Sequence, residues 1–202
     1  MPRQPGRSAD ATKERILDAA VEVLARRGYD GAGVDEIVRR SGASKGAFYF
    51  HFPSKEEMVL RLVHQMSDKL IDAVREAIAG TPPSRERLGL AVTALVETFG
   101  RKRVLGQLLL VNIVGQGRTL DRKFLPVRRK FGEFIRGEMD AAVGAGALPS
   151  SLDTELASQA WLGAFHEVLL RWLIDEDPVP LAERTPALCD LLLNGVGGRE
   201  NA

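Results

Sequence analysis

The chain of 202 residues contains a single cysteine, Cys189. One cysteine excludes an intramolecular disulfide framework and any cysteine-based zinc cluster. No run of about 18 uncharged apolar residues occurs, so no membrane span is expected. The opening MPRQPGRSAD carries basic residues but no apolar stretch, which is not the pattern of a secretory signal. A soluble cytoplasmic protein is the expected class. Net charge is almost lacking too: 28 Lys/Arg against 27 Asp/Glu leave +1. Taken whole, that value argues against a nucleic-acid partner, for which a basic excess is usual. What is present is a 45% apolar composition. It is too high for a disordered chain, and the length suffices for a core without disulfide or metal staples.

The charge is unevenly distributed. Residues 1–55 hold ten Lys/Arg and seven Asp/Glu, a net of +3, and residues 56–202 hold eighteen and twenty, a net of −2. Arg3, Arg7, Lys13 and Arg15 come first. A basic arm ahead of a small helical unit is one electrostatic footprint of a DNA-binding module, although a solvated N-terminus has the same composition.

No segment alternates apolar and polar residues as a strand would. Helical spacing recurs instead and predicts an all-α chain of about nine helices. The first spans Ala11 to Arg27 and ends at Gly28. Two short ones follow, Val34–Arg40 and Ser44–His51, joined by Ser41-Gly42-Ala43 and stopped by Pro53. A long helix runs from Ser54, whose S-x-x-E pattern with Glu57 is a capping box, to about Ala79. Further helices are expected over Ser84–Phe99, Val104–Val114, Leu120–Val143 (with Pro126 in its first turns), Asp153–Asp175 and Leu181–Leu193. The division expected from this pattern is 1–53, arm plus helix-turn-helix, and 54–202, a larger helical body.

The stretch VDEIVRRSGASKGAFYFHFPSK, residues 34–55, has the helix-turn-helix layout of two short helices about a glycine-containing turn. The second helix of such a unit enters the major groove and offers N-terminal side chains to base edges. Ser44 and Lys45 open that helix, and Gly46 lets the backbone come close. Tyr49, His51 and Lys55 carry donors suited to phosphate oxygens. Phe48 and Phe52 suit the core. Phe50 suits either the core or a thymine methyl.

The tract from Arg15 to Val59 resembles the DNA-binding domain of the tetracycline-repressor (TetR) family. ILDAAVEVLARRGYDG, the V-x-x-I of the second helix and SGASKGAFYFHFPSKEEM carry the likeness. The resemblance implies an all-α homodimer that represses transcription and leaves a palindromic operator when a small molecule binds. It places Ala43, Ser44, Lys45 and Gly46 against base edges, and Tyr49, His51 and Lys55 on phosphates. One departure stands out. Where the family often has Thr-Thr or Thr-Ser, this chain has Ala32-Gly33, so a hydroxyl for a phosphate is missing.

The same residues admit other readings. Gly42-Ala43-Ser44-Lys45-Gly46 also fits G-x-S-x-G, the hydrolase nucleophile elbow, but that motif needs a preceding strand and a sheet, whereas DEIVRR is helical. Gly115-Gln116-Gly117 lacks the third glycine of a dinucleotide fingerprint. His64 and His166 have no partners at metal-ligand spacing, and no nucleophile–base constellation appears, so neither metal, cofactor nor enzymatic activity is expected. Arg128-Arg129-Lys130 reads as a solvated helix face, Arg101-Lys102-Arg103 as a loop and Cys189 as a small core residue.

The segment ELASQAWLGAFHEVLLRWLI is apolar on nearly every face, which marks a helix buried on two sides. Ala157, Ala160, Gly163 and Ala164 permit close helix approach, and the last helix, with Leu188, Leu191 and Leu192, completes a four-helix interface in a two-fold dimer. A single monomeric core uses the same residues. The family resemblance implies a ligand cavity in the body. Phe99, Phe131, Trp161 and Phe165, with Asn112 and His166 as sparse polar groups, are the candidates for a mostly apolar ligand. Ordinary core packing is the alternative for each. A DNA-binding regulator without a small-molecule inducer, an activator or a partner-controlled protein, is the alternative for the whole chain.

Overall fold

A computed structural model describes residues 5–101, 103–106, 118–175 and 179–196. These residues form nine helical segments, one of them a single turn, and no strand. They are α1 (Pro5–Gly31), α2 (Val34–Ser41), α3 (Lys45–His51), α4 (Lys55–Ala77), α5 (Arg85–Arg101), α6 (Arg103–Gly106), α7 (Arg118–Gly144), α8 (Thr154–Ile174) and α9 (Leu181–Val196). The expected helix over Val104–Val114 is represented by α6, and its remainder lies outside the described residues.

Side-chain caps set the helix starts. The hydroxyls of Ser44, Ser54 and Ser84 accept from the backbone N–H of Ala47, Glu57 and Arg87 at 3.0, 3.1 and 3.1 Å. The Asp153 carboxylate accepts from Leu156 at 3.0 Å. Each satisfies one of the N–H groups left free in a first turn, an effect of about 1 kcal/mol. Gly28, at φ 66° and ψ −177°, breaks the regular helix where the sequence places its end, and helical pairing resumes beyond this kink as far as Gly31. Gly42, at φ 65°, turns the chain out of α2.

Buried side chains form two clusters. In the first, Ile16, Ala20 and Val23 of α1, Ile37 of α2, Phe48 of α3 and Met58 of α4 are wholly inaccessible to solvent. Phe48 and Phe52 are both buried, as their place in the motif predicts. The second cluster begins at Leu70 of α4 and takes in α5, α7, α8 and α9. The two meet within α4, so the helix that starts after the expected boundary at residue 53 belongs to both. Phe124 and Val127 of α7 also join the first cluster.

Polar contacts fix α7 against α4 and α8. Lys123 pairs with Glu56 at 2.7 Å, and Lys130 pairs with Asp68. Arg136 meets Glu155 at 2.6 Å and the Thr154 hydroxyl donates to Asp140 at 2.6 Å, so α7 and α8 run antiparallel. Arg87 of α5 makes two bonds to Glu138 of α7, at 2.7 and 3.3 Å, and donates to the carbonyls of Ile78 and Thr81 at 2.7 and 2.6 Å. That guanidinium closes the C-terminal end of α4, where carbonyls lack partners. Arg103, expected in a loop, opens α6 and donates to the Trp172 and Leu173 carbonyls at the end of α8. Among the described residues no helix is long and apolar enough to cross a membrane.

Candidate functional site

One end of the molecule presents α3. Its inward residue, Phe48, is fully buried and meets Tyr49 edge-on and Phe52 at a tilt. Its other side is open: Ser44, Lys45, Gly46, Tyr49 and Phe50 are exposed, while Ala43 and His51 are half-buried. The sharpest case is Phe50, with 79% of its surface exposed. A phenylalanine left in water at that level does nothing for the core, so of its two sequence readings the structure excludes packing. Its signal was present in the sequence, since Phe48 and Phe52 sit two residues away on either side and a seven-residue helix cannot bury all three.

Gly46 is instructive in the same way. A Cβ built on it would meet only the Ser44 hydroxyl, at 3.9 Å. Nothing among the described residues requires a glycine there, although glycine weakens a helix by about 0.5–1 kcal/mol relative to alanine. Gly33 caps α2 with no side-chain bond, at φ −84°, and a Cβ there would meet nothing within 4 Å. Any residue fits that position.

Two of the candidate cations have internal partners. Lys45 pairs with Asp35 at 2.8 Å, and this bond raises its pKa. Both groups are largely exposed, so the pair adds little stability and is readily exchanged for a phosphate. Lys55 donates to the Tyr29 carbonyl at 2.8 Å and lies 4.3 Å from the centre of the Tyr29 ring. It ties the start of α4 to the chain just after Gly28.

The second candidate region is a cavity of about 140 Å³ enclosed by α4, α5, α7 and α8. Phe99, Phe131, Trp161, Phe165 and His166 all line it. Asn112 lies outside the described residues, as does Gln116. Val63, Phe124 and Val127 line the cavity and also belong to the core beneath α3. Among the described residues, Arg128, Glu138 and His166 are the ionisable groups of the wall. Arg128 was expected on a solvated face with its neighbours. It is exposed and also reaches the cavity wall, while Arg129 pairs with Glu133 along the helix and Lys130 with Asp68. Helical rotation separates them, because successive residues point 100° apart.

His166 Nε2 is buried and has no hydrogen-bond partner among the described residues. Burial and then the Arg128 guanidinium lower its pKa, against a smaller opposite effect of Glu167. Both effects favour the neutral imidazole. Cys189 is half-buried, with its thiol pKa raised by burial, consistent with a core role.

A third surface lies on α8 and α9. Leu156, Ile174 and Leu191 are exposed, at 64%, 62% and 69%. Ala157, Ala160, Ala164 and Gly195 line a shallow depression beside Leu191. Leu188 and Leu192 were expected to face outward with Leu191, but both are buried in the chain's own core. Leu191 stands about 60° round the helix from Leu188 and about 100° from Leu192, at the edge of the face that the other two bury.

Residues 16–62 match the model of the bacterial regulatory proteins of the tetR family. Over 182 residues the chain is 23% identical to the fatty acid metabolism regulator protein of Bacillus subtilis, covering 90% of this chain and 94% of that one. It is 42% identical over 88 residues to the transcriptional activator FasR of Mycolicibacterium smegmatis, covering 44% and 40%. The crystal structure of FadR from Bacillus subtilis in complex with stearoyl-CoA has the same fold, with a TM-score of 0.82, 23% identity and coverage of 91% and 98%.

Proposed function

Since the chain belongs to the TetR family of DNA-binding bacterial regulatory proteins, we propose that it is a cytoplasmic repressor, released from a palindromic operator by a ligand with a long apolar chain. The role is regulatory rather than enzymatic. Residues 1–53 act as the reading unit, and residues 54–202 bind ligand and dimerise. In this reading α3 lies in the major groove, with Ala43, Ser44, Lys45 and Gly46 at base edges. Tyr49, His51 and Lys55 meet phosphates. Phe50 joins the base-facing set, where a thymine methyl suits an exposed ring. Leu156, Ile174 and Leu191 meet their counterparts in a two-fold partner.

The observation that carries ligand control is the sharing of Val63, Phe124 and Val127 between the cavity wall and the core under α3. A molecule wedged into the cavity presses on side chains that also seat the reading unit. Close-packed cores deform in discrete steps, so such pressure changes the set of the unit rather than being absorbed locally. An acyl chain is the first ligand class to test, because FadR of Bacillus subtilis holds stearoyl-CoA in a protein of the same fold.

The test is a linkage measurement. Operator affinity is titrated with and without dodecanoyl-CoA, and dodecanoyl-CoA affinity with and without operator. The expected coupling is about 1–3 kcal/mol and equal in both directions. Equal operator affinity at all ligand concentrations overturns the proposal. A second reading, an activator, is favoured by the 42% identity to a protein named as an activator. A promoter fusion reads the sign directly, through rising or falling transcription when the gene is deleted.

A further inference from the structure

Among the cavity's polar residues, Glu138 is already occupied by its two bonds to Arg87. That leaves Arg128 on α7 and His166 on α8. Arg128 is exposed and has no ion-pair or hydrogen-bond partner among the described residues, although it reaches the cavity wall. His166 Nε2 is shut off from solvent and has no hydrogen-bond partner among the described residues. The two helices run antiparallel, and the residues are close enough for the guanidinium to disfavour a charged imidazole. A buried polar nitrogen without a bond costs about 1–3 kcal/mol. Among the described residues nothing relieves that cost, and a polar group entering the cavity would.

Resting on the reading of this cavity as a ligand site, we propose that His166 and Arg128 form its polar end and recognise the carbonyl oxygen of an acyl group. His166 Nε2–H donates to the carbonyl. Arg128 holds an anionic portion at the exposed rim, either the second carboxylate oxygen of a free acid or a phosphate beyond a thioester. The hydrocarbon chain lies along Leu95, Phe131, Trp161 and Phe165. A neutral imidazole is suited to a neutral carbonyl, and a guanidinium at the rim suits a solvated anion. A purely hydrocarbon or aromatic ligand leaves both residues unused.

The test uses the full chain and three probes in a calorimetric titration: dodecanoyl-CoA, S-dodecyl-CoA, whose thioether lacks only the carbonyl oxygen, and dodecanoate. The expected result is that dodecanoyl-CoA binds about tenfold tighter than S-dodecyl-CoA, the worth of one buried hydrogen bond. His166→Leu removes that difference and leaves S-dodecyl-CoA binding unchanged. It also lowers dodecanoate affinity about tenfold if the free acid is the tighter ligand. The tighter of dodecanoyl-CoA and dodecanoate identifies the source of the acyl group. Thermal melting of the unliganded variant provides the control for folding. A substitution that removes an unpaired buried nitrogen leaves the melting temperature equal or higher.

Equal binding of the thioester and the thioether to the wild-type chain, with dodecanoate unaffected by His166→Leu, overturns the carbonyl assignment but leaves the cavity as a ligand site. Failure of all three probes to bind overturns the cavity reading and this assignment together.

Discussion

The reading unit and the body use their interiors differently. Beneath α3, six side chains from four helices are wholly sealed from solvent. In the body, α4, α5, α7 and α8 leave a cavity of about 140 Å³ between them. A void forfeits dispersion contacts on every residue around it, so a chain selected only for stability would fill it. The difference teaches where each region keeps its function. In the reading unit it lies on the outside, in residues such as Phe50 and Gly46 that the fold does not require. In the body it lies on the inside, in space the fold does not use.

The contrast can be broken most severely at Phe48. Phe48→Ala empties the packed core and is expected to cost about 3–5 kcal/mol, seen as a lower denaturation midpoint together with loss of operator binding. Arg87→Met removes the two bonds to Glu138 and both carbonyl bonds at the end of α4. A loss of about 1–3 kcal/mol is expected, checked by urea unfolding, because the carboxylate and the carbonyls are left partly unpaired. Ala91→Phe addresses the body alone. Ala91 lines the cavity, so the larger ring fills existing space. Ligand affinity is expected to fall about tenfold, or about 1.4 kcal/mol, while operator binding persists without release. A gel-shift titration with dodecanoyl-CoA distinguishes that outcome from unfolding.

Two smaller changes sharpen the contrast from the outside. Gly46→Ala is expected to stabilise α3 by about 0.5–1 kcal/mol and at the same time weaken operator binding, because the added methyl stands in the groove rather than in the core. A rise in both melting temperature and affinity would remove Gly46 from the interface. Gly33→Thr adds a capping hydroxyl where there is open space. A stability gain of a few tenths of a kcal/mol is expected, with tighter operator binding and nearly unchanged sequence preference, checked by fluorescence anisotropy on the operator and its base-substituted variants.

Much of the reading unit was legible along the chain because its logic is local. Ser44, Ser54 and the glycines at 28, 33 and 42 act within three or four residues, so caps and turns could be read directly. The inward Phe48 and Phe52 followed from helical spacing. The charge split was also informative: +3 over residues 1–55 is hidden within a total of +1. Harder positions are those whose role depends on a distant partner. Arg128 looked like part of a solvated basic run and is exposed, yet its place about 100° round the helix from Arg129 also brings it to the cavity wall. Leu188 and Leu192 looked like interface residues, yet they complete the core against α5. Lys55 looked free for phosphate, yet its ammonium already reaches Tyr29, 26 residues earlier.

The sequence alone determined the helical class, the position of the helix-turn-helix and the residues that open its second helix, because capping, turn geometry and apolar period are short-range properties. The tertiary structure decided what lies between helices. It joined Val63, Phe124 and Val127 into a wall common to the reading unit and the cavity, and it buried His166 Nε2 beside that cavity without a partner among the described residues. No local pattern encodes such a juxtaposition, because α4, α7 and α8 meet there from segments about 60 and 40 residues apart, and only packing brings them together.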